Sequence, residues 1–227
     1  MDALQMRVGE ETWPGERPLA SDARRRERRG DALLRALAAE RRRSRGYAAR
    51  VRELEDRLVQ LAEQVRTDPL TGVCNRRGLD DAFLVECARS EREGTKVCVA
   101  VFDLDDFKKL NDCHGHAVGD CALRHVARVL RTVMRPTDVV ARIGGEEFVV
   151  LFPGAGLQEA VCAVERARAA LECQPCESSG ERIELRVSAG VAGRFPGEDS
   201  NALLARADAA LYEAKRRGKN RVQGAQG

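Results

Sequence analysis

The chain has 227 residues, 39 of them Lys or Arg and 36 Asp or Glu, for a formal net charge of +3, and 43% are hydrophobic. That length holds one well-buried domain plus an extension rather than two large domains, and the near balance of charge does not mark the whole chain as a nucleic-acid binder. No run is long and apolar enough to span a bilayer, and the start, with Glu10, Glu11 and Trp13-Pro14, lacks the charged-then-apolar profile of a signal peptide, so a cytoplasmic protein is expected.

Residues 1–20 hold Gly9, Trp13, Pro14, Gly15 and Pro18 with little periodicity and read as a flexible N-terminal tail. From 21 to 66 the pattern is helical. Leu33, Leu37, Glu40, Ser44, Tyr47, Val51, Leu54, Leu58, Leu61 and Val65 fall on successive a and d positions of a heptad. A narrow apolar stripe on a charged helix calls for a partner, so the segment is expected to form a coiled-coil homodimer; an amphipathic helix lying on its own domain is the other reading. The arginines crowded at 24–29 and 41–45 sit on this helix as a solvated face, without the interleaved aromatics of a nucleic-acid surface.

Thr67-Asp68-Pro69-Leu70-Thr71-Gly72 breaks the helix and opens a compact domain over 67–222, with 223–227 as a C-terminal tail. The pattern predicts a helix over 76–92, a strand from Val97 to Asp103, a short helix from Asp106 to Asn111 and a helix from Asp120 to Met134. A hairpin follows, then a helix from Leu157 to Glu172, a strand from Ile183 to Ala192 and a helix from Ser200 to Arg217. Alternating helices and strands with an antiparallel hairpin predict an α/β (α+β) fold, a mixed central sheet covered by helices.

The eight cysteines are scattered rather than clustered and read mostly as small buried side chains. Cys173-Gln174-Pro175-Cys176 is a single CxxC without the second pair of a zinc ribbon, and Cys113, His114, His116 and Cys121 do not follow a usual zinc spacing.

Charged chemistry gathers in three places. Val97–Phe102 is an apolar run that ends in Asp103-Leu104-Asp105-Asp106. Val139-Val140-Ala141 and Phe148–Phe152 flank Arg142-Ile143-Gly144-Gly145-Glu146-Glu147, where the glycine pair is expected to supply the positive φ angles of a two-residue hairpin turn and hold Glu146 and Glu147 at its tip. If the two strands are neighbours, Asp103 meets Glu146 and Glu147, and crowded carboxylates select a hard dication, Mg²⁺ or Mn²⁺. Such a centre serves phosphoryl and nucleotidyl transfer. The helix opened by Phe107-Lys108-Lys109 offers backbone N–H groups to a phosphate. Lys215 and Lys219, one helical turn apart at the end of the last helix, add positive charge, although lysines favour helix C-termini for dipole reasons alone.

Four ordered motifs carry a resemblance. Asp68-Pro69-Leu70-Thr71-Gly72-Val73-Cys74-Asn75-Arg76-Arg77, the run from Phe102 to Asp120, Gly144-Gly145-Glu146-Glu147-Phe148, and Ala214-Lys215-Arg216-Arg217-Gly218-Lys219-Asn220 are together similar to the motif set of the GGDEF-family diguanylate cyclases. The resemblance covers about residues 67 to 222. It implies a palm-like fold related to nucleotidyl cyclases and polymerases, and condensation of two GTP into cyclic di-GMP with release of two pyrophosphates. It implies Mg²⁺ held by Asp103, Glu146 and the Leu104 carbonyl, with Glu147 completing the metal or 3′-hydroxyl environment. Asn111 and Asp120 would read guanine, with His116 and Gly119 shaping the turn around it. The backbone at Phe107 and Lys108 and the side chains of Lys215 and Lys219 would hold the β and γ phosphates. Each domain would bind one GTP, so two must face each other, and the heptads would raise their effective concentration.

Arg135-Pro136-Thr137-Asp138 lies at the offset of the family's product-inhibition site, and Arg166 matches a further arginine of it; feedback by cyclic di-GMP is therefore implied, with Arg89 as a candidate from a neighbouring domain. Two positions depart from the family pattern. Glu146 stands where the family name has Asp, and Lys219 stands where Arg is frequent, keeping the charge without the fork. The competing reading is a catalytically silent GGDEF-type module that senses GTP or cyclic di-GMP.

Overall fold

The computed structural model describes residues 25–31, 33–35, 37, 40–41, 47, 50–54, 57, 66–178 and 180–225, and the chain divides into two compact units, Met1–Val59 and Gln60–Gly227. In the first unit the described residues are helical, and the heptad side chains Leu33, Leu37, Tyr47, Val51 and Leu54 are exposed. The expected tail over 1–20 and the heptad positions Ser44, Leu58, Leu61 and Val65 lie outside the described residues. Among the described residues no helix is long and apolar enough to cross a membrane.

The second unit is a mixed five-stranded sheet in the order β2-β3-β1-β6-β7, with helices on both faces. Its elements are α1 (Arg76–Glu93), β1 (Val97–Leu104), α2 (Phe107–His114), α3 (His116–Val133), β2 (Val139–Arg142), β3 (Glu147–Pro153), α4 (Leu157–Cys173), β4 (Cys176–Ser178), β5 (Glu181–Ile183), β6 (Val187–Gly193), α5 (Ser200–Arg216) and β7 (Val222–Gly224). β4 and β5 pair apart from the main sheet. The central strand β1 is buried along its whole length and pairs antiparallel with β3 on one side and β6 on the other, whereas β7 joins β6 in parallel.

Strand periodicity divides the core. Cys98, Ala100, Phe102 and Leu104 pack with Phe148, Val150 and Phe152 under α3 and α4, and Val97, Val99 and Val101 pack with Val149 and Leu151 against α1 and α5. Asp103 continues the second set, so the strand's last polar side chain faces α5. That helix lies close because β6 presents Gly190: a Cβ there would stand 2.0 Å from the Ala207 carbonyl oxygen and 2.2 Å from the Leu211 nitrogen. Leu203, Ala207 and Leu211 bury along the contact, and Lys215 follows at the next i+4 position.

Several expectations are corrected. The strand expected over Ile183–Ala192 is two strands, β5 and β6, which pair with different neighbours, β5 with β4 and β6 with β1 and β7. The helix expected from Asp120 starts at His116, since Gly115, at φ 83, turns the chain directly from α2 into α3. The tail expected from 223 is part of β7 through Gly224.

Candidate active site

The hairpin between β2 and β3 is built differently from the expected two-residue turn. Arg142 pairs with Phe148, the Ile143 N–H reaches the Glu147 carbonyl at 3.0 Å, and Gly144, Gly145 and Glu146 form the loop. Neither Gly144 nor Gly145 has a positive φ. The loop is held from outside instead: Arg142 donates through Nη2 to the Gly145 carbonyl at 2.7 Å and through Nη1 to the Asp68 carboxylate at 3.2 and 3.3 Å. Burial pushes the Asp68 carboxyl up, but donors from Thr71 and Arg142 outweigh it and hold it below its ordinary value. Neither Arg142 nor Asp68 stood out in the sequence as a support for this loop.

The carboxylates do converge. Asp103 and Glu147 are direct cross-strand partners, and the Leu104 N–H points at the Glu146 carbonyl at 3.4 Å. Asp103 is 7% exposed and its Oδ1 accepts from Lys215 Nζ at 2.8 Å. The Glu146 carboxyl is pushed up by burial and by the negative charges of Asp103 and Glu147, with Lys215 opposing. Four charged groups from β1, the hairpin, β3 and α5 thus share one corner. An all-oxygen set with a surplus of negative charge suits a hard dication such as Mg²⁺ or Mn²⁺. Among the described residues no three His, Cys, Asp or Glu side chains already close around a common point; Lys215 is the counter-charge on Asp103.

Lys219 is placed by a turn rather than by the helix. α5 ends at Arg216, and Gly218, Lys219 and Asn220 have φ values of 111, 62 and 47. The turn carries Lys219 Nζ to 3.0 Å from Asp106 Oδ1, which also accepts from Lys109 at 2.8 Å. Lys109, then Lys219, hold the Asp106 carboxyl below its ordinary value. Asp105 fastens this turn: its carboxylate accepts from Ser188 Oγ at 2.8 Å and from the Asn220 N–H at 2.9 Å. Asp105 and Ser188 had no assigned part in the sequence reading, and only the fold joins them.

Asp106 has φ 60 and gives α2 no side-chain cap, which leaves the N-terminal backbone of Phe107 and Lys108 without a carboxylate over it. Phe107 is buried and Lys108 exposed. At the far end of α2, Asn111 Oδ1 is buried without a hydrogen-bond partner and lies against Gly119, where a Cβ would be 1.9 Å away. Asp120, half-buried, follows on α3, and His116 is exposed at its start. Arg135, Asp138 and Arg166 gather elsewhere, around a cavity of about 250 Å³ that Phe152 also lines. Asp138 accepts from the Arg135 backbone N–H at 2.9 Å, and burial raises its carboxyl. Arg89 instead pairs with Glu93 at 3.1 Å on its own helix.

A mixed sheet with a Gly-Gly-Glu-Glu-Phe loop beside an acidic central strand defines a GGDEF-type α/β domain. The chain belongs to the GGDEF-domain family: the family model described as "Diguanylate cyclase, GGDEF domain" matches residues 65–221. It is 42% identical over 161 residues to the diguanylate cyclase DgcP of Pseudomonas aeruginosa, covering 71% of this chain and 24% of that relative. It is 40% identical to DosC of Escherichia coli K12, of which it spans 35%. The chain therefore spans about a quarter to a third of these relatives. Among solved structures, it resembles the coiled coil and GGDEF domain of DgcB from Caulobacter crescentus, in complex with c-di-GMP, at 37% identity and a TM-score of 0.75, covering 81% of this chain and 97% of that one. It also resembles the active GGEEF domain of a diguanylate cyclase from Vibrio cholerae, at 31% identity and a TM-score of 0.64, covering 68% and 99%. That domain's signature also has Glu where the family name has Asp.

Proposed function

We propose that the protein is a diguanylate cyclase, joining two GTP into cyclic di-GMP with release of two pyrophosphates at a site shared by two protomers. The observation that carries this reading is the corner of Asp103, Glu146, Glu147 and Lys215, with a 2.8 Å ion pair at its centre. The family membership supports it.

Asp103, Glu146 and the Leu104 carbonyl would hold Mg²⁺ or Mn²⁺, which when bound lowers the pKa of the 3′-hydroxyl and stabilises charge on the transferring phosphate. Asp120 accepts from guanine N1–H and N2–H₂, a donor pair that adenine lacks. Asn111 supplies the second polar contact, and its unpartnered Oδ1 marks a hydrogen-bonding group without a protein partner. The uncapped start of α2 offers backbone N–H groups at Phe107 and Lys108 to the β and γ phosphates. Lys215 and Lys219 exchange their carboxylates for those phosphates. Glu146 is the candidate to assist removal of the proton as the 3′-oxygen of one GTP bonds to the α-phosphorus of the other and pyrophosphate leaves. Glu147 completes the metal or 3′-hydroxyl environment.

One domain presents one GTP, so the second half-site comes from a partner chain, brought near by the heptads of residues 21–66. Product returns to the cavity of Arg135, Asp138 and Arg166, where a guanidinium can donate twice to guanine O6 and N7. Incubation of purified dimer with GTP and Mg²⁺ tests the reading: cyclic di-GMP and pyrophosphate are expected, and are lost in Glu146→Ala. GTP binding without any product would favour the silent module.

A further inference from the structure

Of the eight cysteines only Cys98 and Cys176 are fully buried, and the fold gives Cys176 a partner that the sequence did not suggest. Cys121 stands on α3 directly after Asp120; Cys176 opens β4. Their Sγ atoms are 3.2 Å apart although 55 residues separate them in the chain. We propose that Cys121 and Cys176 are a disulfide-forming pair, closed by a peroxide, which clamps β4 to α3 beside Asp120.

The two sulfurs have different access. Cys121 is half-buried on the wall of a cavity of about 370 Å³ that Arg124 and Arg128 also line, and Cys176 is 1% exposed. Burial, then the neighbouring Cys121 thiol, pushes the Cys176 thiol up to about 12. Cys121 therefore meets the oxidant first. Its sulfur takes one oxygen as the O–O bond breaks, giving a sulfenic acid and water. Cys176 Sγ then attacks that sulfur; the S–S bond forms, the S–O bond breaks, and hydroxide leaves with the Cys176 proton as a second water. Two thiols are oxidised by two electrons and one hydrogen peroxide is reduced. Converting Cys121 also removes the thiol that helps to hold the Cys176 proton in place.

A metal is the competing occupant, because His125 Nε2 is buried without a hydrogen-bond partner and His125 lines the same cavity. Two observations go against it. Thiolates bound at roughly 2.3 Å to one tetrahedral zinc stand about 3.8 Å apart, farther than the 3.2 Å between these sulfurs. Arg128 Nη2 lies 2.7 Å from His125 Nδ1, a fixed positive charge next to the supposed ligand. Cys173, the other half of the CxxC, is exposed at the end of α4, and the sulfur contact of Cys176 is with Cys121.

Closure matters for the residues proposed to read guanine. β4 pairs with β5 through Cys176 and Ile183, and Glu181 on β5 lies 3.5 Å from His114 Nδ1 at the end of α2. The small hairpin therefore touches both helices around Asn111, Gly119 and Asp120. Closing the sulfurs from 3.2 Å to about 2.05 Å draws Cys121 Sγ and Cys176 Sγ together by about 1 Å and ties β4 to the residue next to Asp120. This consequence, weaker GTP binding, rests on the GTP reading; the cross-link itself does not.

The test uses the full chain, reduced, exposed to hydrogen peroxide, quenched with catalase, alkylated and digested without reductant. The expected product is a Cys121–Cys176 peptide pair two hydrogens lighter than the separate thiols, released by dithiothreitol and absent in Cys121→Ser. In Cys176→Ser, a sulfenic-acid reagent should label Cys121. A Cys173–Cys176 link, both thiols alkylated after peroxide, or one equivalent of zinc whose removal unmasks them would overturn the proposal. Calorimetric titration should show severalfold weaker GTP binding in the oxidised chain, reversed by dithiothreitol and absent in Cys121→Ser. Equal affinity with the cross-link present would overturn the coupling, and no GTP binding in either state would count against the GTP reading alone.

Discussion

At one end of β3, Glu147 faces Asp103 across the sheet, and Lys215 and Lys219 are each held by a carboxylate. Toward the other end, Phe152 lines a cavity whose guanidiniums, Arg135 and Arg166, form no ion pair with any described residue. The two residues are five positions apart along the strand, about 17 Å. The difference is one of commitment. Cations at the acidic end offset crowded carboxylates, so removing a carboxylate there should abolish the site rather than weaken it. At the cavity the charges of Arg135 and Arg166 act on Asp138 without a close ion pair, so losing one should weaken binding of an anionic ligand while leaving the fold unchanged.

The largest effect should come from Asp103→Asn. Removing this carboxylate should lower cyclic di-GMP formation at least about 1000-fold, read by pyrophosphate release. Its melting temperature should change little, because the Lys215 side chain left behind is 35% exposed and can be solvated. A rate within tenfold of the parent would break the assignment of the acidic end. At the opposite end, Arg166→Ala should raise the cyclic di-GMP concentration needed for half inhibition about 10- to 100-fold, the worth of a charge-assisted bidentate contact. Its uninhibited rate should stay within about twofold. A matching fall in that rate would show that the two ends are not separable.

The support of the glycine loop gives a pH-dependent prediction. Asp68→Asn should cost about 2 kcal/mol at neutral pH, since it strips the charged acceptor from a largely buried Arg142. The sign follows from the lowered Asp68 carboxyl. Its stabilisation is fully present above the ordinary value of 3.8 and is lost as pH falls through the still lower folded value. Denaturant midpoints of parent and variant should therefore differ at pH 7 and converge on acidification below 3.8. A constant gap would mean that Asp68 acts through shape alone.

How far the sequence could be read follows from how local each determinant is. Val97–Phe102 and Phe148–Phe152 were legible as strands because burial on both faces writes a continuous apolar run. The carboxylates Asp103, Glu146 and Glu147 were legible because they interrupt such runs. Gly144 and Gly145 misled: the turn-type rule assumes that strand ladders run into the turn, whereas Arg142 reaches out to Asp68 and fixes a wider loop. β7 has no apolar run and is made by parallel pairing to β6. Asp105 could not be singled out, since its partners Ser188 and Asn220 lie 83 and 115 residues away. The Cys121–Cys176 contact was hidden for the same reason. Residue types that perform chemistry announce themselves; those that hold them in place are chosen by the fold.

The smallest predicted effect concerns Lys219, and it separates the ion pair with Asp106 from the phosphate contact proposed for the same side chain. Lys219 pairs with Asp106, but the two are 43% and 44% exposed, so the pair should add little stability. If that pairing were its whole purpose, Lys219→Ala would have no effect on GTP in an Asp106→Asn background. If Lys219 exchanges the carboxylate for phosphate, Lys219→Ala should raise KM for GTP about three- to tenfold in both backgrounds. Asp106→Asn alone should then lower KM slightly, because the lysine no longer has to leave a carboxylate, while Lys109 loses the same partner. Steady-state KM values for the four proteins close the cycle. A Lys219→Ala effect that persists, and is somewhat larger, in the Asp106→Asn background places Lys219 on the nucleotide, and a vanishing effect there leaves it as a strut for the turn at Gly218–Asn220.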